Sequence, residues 1–403
     1  MLNIGLIREG KVPPDSRVPL TPQQCHQIIR EYPVEIRVQS AAGRCFSDRE
    51  YRALRIPVED EVVAADVLMG VKEVPIEMLV PHKTYFFFSH TIKKQAYNRD
   101  LLRAVLDKQI TLIDYEALTD AQGKRLIAFG RFAGMVGAHN ALFTYSRRTG
   151  AFSLKQMKDY RDYAAAQAAY TELRLPPLKI VLTGTGRVGS GAAQVLRDMG
   201  IRQVTPEDFL EQTYDEAVFT QLRVAHYVRR PDDQPFVSAD FYRSPAEFES
   251  AFEPFAHRAD IMINGIYWDN RAPQFFSRDD MTSEAFAIQV IADITCDIAP
   301  VSSIPSTLRA STIANPIFGY DPQTGREVPP HQTGVIDMMT IDNLPNELPR
   351  DASEAFGEQF MRHILPELLL PESAMLTRAT VAQAGQLGPH FQYLSDYAGL
   401  SRP

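Results

Sequence analysis

Residues Lys179-Ile-Val-Leu-Thr-Gly184-Thr-Gly186-Arg187-Val188-Gly189-Ser-Gly191 decide the fold. A β-branched run ends in G-x-G-x-x-G and leads into a helical pattern, Val188–Met199, which Gly200 closes as a C′ residue. The first glycine permits a tight turn, the second lets backbone approach a pyrophosphate, and the third lets helix pack on strand. The start of the helix then offers unpaired N–H groups and a positive dipole end to phosphates. The stretch reads as a dinucleotide-binding turn, with Gly184, Gly186, Arg187, Val188 and Gly189 as its cofactor contacts. An acidic residue about 20 positions on should hold the adenosine ribose, and Glu207 falls there. Arg187 and Arg202 are instead suited to a 2′-phosphate, so NAD(H) and NADP(H) both stay open.

Outward from this motif the same alternation recurs. Short apolar runs at Asn3–Ile7, Val34–Val38, Val67–Val71, Thr84–Ser89 and Ile110–Ile113 read as strands. Thr21-Pro22 reads as the N-cap and first residue of a helix, and Asn98–Leu106 carries helical spacing. A second set starts after the proline break Leu173-Arg-Leu-Pro-Pro177, with further strands at Asp260–Ile263, Ala287–Ala292 and Val335–Ile341. The pattern weakens between about 205 and 258, which reads as an elaboration. Ala352–Leu370 is helical in period and should return to the first domain. The expected fold is α/β: two Rossmann-like domains with parallel sheets separated by a cleft. The substrate domain is residues 1–135 plus about 345–403, and the dinucleotide domain is 136–344.

Composition narrows the partners. The 403 residues are 45% hydrophobic and 23% charged, with a net charge of −8, which fits a globular chain and argues against nucleic acid or an anionic membrane. The three cysteines, Cys25, Cys45 and Cys296, lie far apart, so neither a disulfide framework nor a metal site is expected. No apolar run reaches the roughly 18 residues of a membrane span, and the N-terminus reaches Arg8-Glu9 too early for a signal peptide. A cytoplasmic location is therefore expected. Nothing in the sequence bears on oligomeric state.

In open α/β sheets ligands sit beyond the carboxyl ends of strands. The residues that fall there are Lys72-Glu73, His90 with Lys93, Asp114-Tyr-Glu116, Asn264-Gly-Ile266, Asp293 and Asp342. Lysine, histidine and carboxylates gathered on strand ends suggest proton-transfer chemistry.

Several segments carry a family resemblance. Arg8-Glu9 with Ser16-Arg17-Val-Pro-Leu-Thr-Pro22 resembles the opening of the alanine dehydrogenase/transhydrogenase superfamily. Gly70-Val-Lys72-Glu73, Lys83–Lys93, Leu112–Glu116, Ala128-Phe-Gly130, Ile263–Trp268 and Ile341–Pro345 resemble the saccharopine-forming lysine–2-oxoglutarate reductases and the lysine-forming saccharopine dehydrogenases. The likeness covers nearly the whole chain and only the reductase half of the bifunctional animal and plant enzymes. It implies reductive coupling of an amine, L-lysine, with a 2-oxo acid, 2-oxoglutarate, or the reverse cleavage, with a nicotinamide cofactor. By the same likeness Lys72 is a general base at the amine and His90 a general acid/base at the carbonyl oxygen. Arg17, whose fork suits a carboxylate, is the first substrate-binding choice, followed by Arg125, with Lys93 and Glu116 beside them. Arg131 stands where the family carries an aromatic or amide residue, which marks it for a different acid. Asn264, Ile266, Asp293 and Asp342 would complete the cofactor side. Another opine-type or amino-acid dehydrogenase, or a dinucleotide sensor without catalysis, are the alternatives.

Overall fold

The structure is a computed structural model that describes residues 1–232 and 234–400. It divides into two compact units, residues 1–128 with 349–403, and residues 129–348.

The first unit opens with β1 (Leu2–Leu6), β2 (Val34–Gln39), β3 (Val58–Glu59), β4 (Val67–Met69), β5 (Thr84–Phe87) and β6 (Thr111–Asp114). The helix Pro22–Glu31 starts at Thr21, whose hydroxyl accepts the Gln24 N–H while the Gln24 carboxamide accepts the Thr21 N–H. The second unit holds β7 (Lys179–Thr183), β8 (Arg202–Gln203), β9 (Val218–Leu222), β10 (Val228–Arg229), β11 (Glu249–Ser250), β12 (Ile261–Asn264), β13 (Val290–Asp293), β14 (Ile317–Asp321), β15 (Arg326–Val328) and β16 (Ile336–Met339). The chain then returns to the first unit with β17 (Thr380–Gln383) and β18 (Gln386–Leu387).

The first sheet runs β18-β17-β6-β5-β4-β1-β2-β3, parallel from β6 through β3 and antiparallel at β17 and β18. The second runs β15-β14-β16-β13-β12-β7-β9-β8, with only β14 and β15 antiparallel. The strand order turns back between β1 and β4 in the first sheet, and in the second β7 has β9 on one side and β12 on the other. These are the points where open sheets leave a crevice for ligands.

Three readings change. Proline-rich residues 173–177 are a connection inside the second unit. The reason is the helix Gly130–Thr149, which packs on the helix Arg187–Asp198 so closely that a Cβ on Gly134 or Gly191 would strike the other helix's backbone. The weak stretch after 205 contains β9, a full strand beside β7, disguised by the charged residues around Val218-Phe-Thr. What remains of that stretch forms the β10–β11 ribbon and the helix Ser238–Arg243 over a small core of Val228, Phe241 and Phe248. Finally, β4 stops at Met69 because the N–H groups of Val71 and Lys72 go to the Glu9 side chain.

Candidate functional site

In the first unit, Lys72 follows β4 and His90 follows β5, so adjacent parallel strands deliver both to one sheet edge. Glu73 joins them. Its Oε1 lies 2.5 Å from His90 Nδ1 and its Oε2 accepts from Lys11 Nζ at 3.2 Å. Burial opposes the charge on Glu73, but the His90 hydrogen bond and charge, with Lys11, hold its carboxyl down to about 2. Burial lowers Lys72 to about 8, and the cations Arg17 and Lys11 add to that shift. His90 sits in the left-handed region at φ +52°, uncommon for a side-chain-bearing residue, and its ring stacks on Phe88. Asp114, fully buried, fixes that bend by accepting from the Ser89 N–H at 3.1 Å and the Ser89 hydroxyl at 2.5 Å.

Beside His90, Arg125 lies over the Phe88 ring, and its Nη1 and Lys93 Nζ each reach Glu116 Oε1 at 3.1 Å. Glu116 Oε2 is buried and makes no hydrogen bond. Lys93, Glu116 and Arg125 therefore form one cluster next to the histidine.

Arg17 is elsewhere engaged. It is 2% exposed, and its Nε and Nη2 donate to both oxygens of Asp15 at 2.9 and 2.6 Å. The fork expected to grip a substrate carboxylate grips Asp15, and its charge instead lowers the Lys72 pKa. A cavity of about 290 Å³ here is lined by Arg8, Glu9, Asp15, Arg17 and Arg44 among others. Sequence reasoning passed over Asp15, Lys11 and Arg44, because charged residues on loops carry no periodic signal.

In the second unit the glycine turn has the geometry a dinucleotide needs. Gly184 has φ +94°, and a Cβ on Gly189 would run into the Gly184 carbonyl oxygen. Around Gly186 nothing stands within 4 Å of a Cβ, which leaves the approach open for phosphate. Gln221 Nε2 donates to Gly184 O at 2.9 Å and fixes the turn. Arg187 and Val188 open the helix. A cavity of about 430 Å³ adjoins the turn, lined by Gly184, Gly186, Arg223, Tyr227, Ile266 and Trp268 among others. The residues present fit a nicotinamide dinucleotide.

The ribose position needs correction. The strand that follows the glycine helix and lies beside β7 is β9, so the residue at its end is Arg223 and not an acid. Glu207 is exposed in the helix Pro206–Glu211, near enough to His226 to favour that ring's charged form. Asn264 and Asp293 are fully buried and point their polar atoms at their own strand ends. Asn264 accepts from Thr183 and donates to Asp293 and Ser303, while Asp293 also accepts from Thr295 and Thr307. They brace the loops instead of meeting a ligand with their side chains. Asp342 is exposed just beyond β16 and close enough to Cys296 to raise its pKa. Arg131 lies on the helix Gly130–Thr149 and donates to Gln194 at 2.7 Å, so it is a helix-packing residue of the second unit.

Known proteins resemble this chain along most of its length. The chain is 29% identical to alpha-aminoadipic semialdehyde synthase of Arabidopsis thaliana, over 97% of this chain and 41% of that protein. It is also 29% identical to the mitochondrial enzyme of that name from Mus musculus, over 97% and 47% respectively. To the NAD(+), L-lysine-forming saccharopine dehydrogenase of Yarrowia lipolytica it is 27% identical, over 91% and 92%. The chain is thus similar to named saccharopine dehydrogenases over 89% and 91% of its length. Residues 5–136 match the alanine dehydrogenase/PNT N-terminal domain. The fold is that of L-alanine dehydrogenase, with a TM-score of 0.66 at 17% identity over 98% of this chain and 100% of that one. A transhydrogenase from Sinorhizobium meliloti shares it, with a TM-score of 0.61 at 14% identity, over 96% and 99%. The chain spans less than half the length of the plant and mouse relatives. Among the described residues no helix is long and apolar enough to cross a membrane, and no group of side chains could hold a metal.

Proposed function

We propose that this chain is a nicotinamide-dependent oxidoreductase of the saccharopine dehydrogenase type. It couples the amine of L-lysine to the carbonyl carbon of 2-oxoglutarate as a secondary amine, or cleaves that product in reverse. The observation that carries this reading is the trio of Lys72, Glu73 and His90 beyond the carboxyl ends of the adjacent strands β4 and β5, in a chain similar to saccharopine dehydrogenases.

Lys72, lowered to about 8, is partly neutral near physiological pH and takes a proton from the substrate ammonium. The amine then attacks the carbonyl. His90, held at Nδ1 by Glu73, keeps its Nε2 edge for the oxygen and protonates it as water leaves. Glu116, with one buried oxygen unused, would accept from a substrate ammonium, and Lys93 and Arg125 would meet carboxylates. A bound dinucleotide supplies the hydride that reduces the imine. Gly184, Gly186 and Gly189 would hold its pyrophosphate, and Arg223 supports NADP(H) over NAD(H), since a guanidinium there suits a 2′-phosphate.

The test is oxidation of NADH and NADPH by purified protein with lysine plus 2-oxoglutarate, then with other amine and oxo-acid pairs. Turnover with lysine and 2-oxoglutarate above the other pairs is expected. Silence with every pair overturns the reading.

A further inference from the structure

Lys72 follows only three residues of β4, and its backbone lies at a point where the ladder with β1 has run out. The Ile7 N–H still reaches Met69 O at 3.0 Å, and on the other side Gly70 and Val71 still pair with β5 and its continuation through Phe86 O and the Phe88 N–H. On the β1 side, however, the N–H groups of Val71 and Lys72 have no backbone carbonyl to meet. The Glu9 side chain takes that place. Its Oε1 accepts from Val71 N at 2.6 Å and its Oε2 accepts from Lys72 N at 2.8 Å. Gly70 leaves the space for it, since a Cβ there would stand 3.3 Å from Glu9 Oε1.

We infer that Glu9 is a positioning residue for Lys72, a side-chain extension of β1 that locks the backbone carrying the proposed base. The inference rests on Lys72 being that base. Two donors, one on each oxygen, demand a group with an accepting lone pair on both, and among side chains of this length only the carboxyl group has one on each. A carboxamide can accept at one oxygen and turns an NH2 toward the other N–H, leaving a donor without a partner. The charges around Glu9 are Asp15, which raises its pKa, and Arg17, which lowers it. Burial dominates and pushes the carboxyl up to about 8 in spite of the two backbone donors.

The consequence for Lys72 is positional. Its low pKa depends on Nζ staying buried near Arg17 and Lys11. A loosened backbone lets the ammonium find water, and the pKa moves back toward 10.5.

The experiment compares Glu9→Gln, Glu9→Asp and Lys72→Met with the unaltered chain, using steady-state kinetics from pH 6 to 10 and dinucleotide affinity by fluorescence titration. Glu9→Gln is expected to lose kcat by about 100-fold, as for a group displaced by about 1 Å. Its alkaline rise should shift to higher pH, while dinucleotide affinity stays unchanged. Glu9→Asp keeps both accepting oxygens but is one methylene short, so an intermediate loss of about 10-fold is expected, and this variant decides the matter if Glu9→Gln does not fold. A Glu9 variant that folds with unchanged kcat and an unmoved pH profile overturns the inference and leaves the proposed function standing. Unchanged turnover in Lys72→Met overturns the proposed function itself.

Discussion

At the residue scale, the pKa of Lys72 gives the first expectation. A base must be neutral, and burial beside two cations lowers Lys72 to about 8, so the rate of amine coupling should rise with pH through that value. An ordinary lysine would place that rise near 10.5. The same burial makes the ammonium a cost to folding. The folded pKa lies below the unfolded one, so the unfolded chain binds more protons between the two values and stability rises with pH there. Lys72→Met should therefore lose turnover by about 10²-fold or more while gaining on the order of 1–3 kcal/mol of stability at pH 7. Kinetics paired with urea unfolding checks both. A variant that is inactive and less stable contradicts this account.

Glu73 runs in the opposite sense. Its folded pKa, about 2, lies below its ordinary 4.5, so its contribution to stability is complete above 4.5 and is lost as pH falls toward 2. The stability difference between the unaltered chain and Glu73→Gln should shrink across that window, measured as urea midpoints at pH 6, 4 and 3.

At the element scale, the glycine turn separates binding from folding. Gly186→Ala adds a methyl into open space, so the fold should hold while dinucleotide affinity falls, because the methyl occupies the phosphate approach. Gly134→Ala drives its methyl into the Val188 carbonyl across the paired helices, and it should cost about 3 kcal/mol or more before any ligand is added. Thermal melts with and without dinucleotide distinguish the two. A further element-scale device is Glu347, which is buried and accepts from Asn140, Gln156 and the Lys158 N–H. It ties the short helix Leu344–Glu347 to the helix Gly130–Thr149 and to the turn Met157–Asp159.

At the scale of the whole molecule, the second unit carries the glycine turn and the cavity beside it, where the proposed function places the dinucleotide. Saturating NADPH, at about 100 times its Kd, should stabilise the chain by about 2.7 kcal/mol. The same concentration of NADH should do less, and Arg223→Ala should remove most of the difference. Equal shifts with both dinucleotides before substitution count against Arg223 as the selecting residue. Hydrogen exchange should slow at residues 184–189 and 223–228, which line the turn and its cavity.

Local sequence determined a good deal of this. The strand-turn-helix of residues 179–199, the Thr21 cap and the strand ends carrying Lys72 and His90 were legible because each depends on backbone sterics and hydrogen bonds within a few residues. Tertiary structure alone decided which charges face one another. By residue type Arg17 suits a substrate carboxylate, yet in the fold its Nε and Nη2 meet Asp15. By spacing Glu207 suits the ribose, yet β9 is the strand beside β7 and ends just before Arg223, because strand order in a sheet depends on pairing between distant segments. Glu9 reaches across from β1 to Lys72, 63 residues away, by the same cause. A side chain's polar partner is set by whichever long-range segment excludes water around it, and no short window of sequence contains that segment.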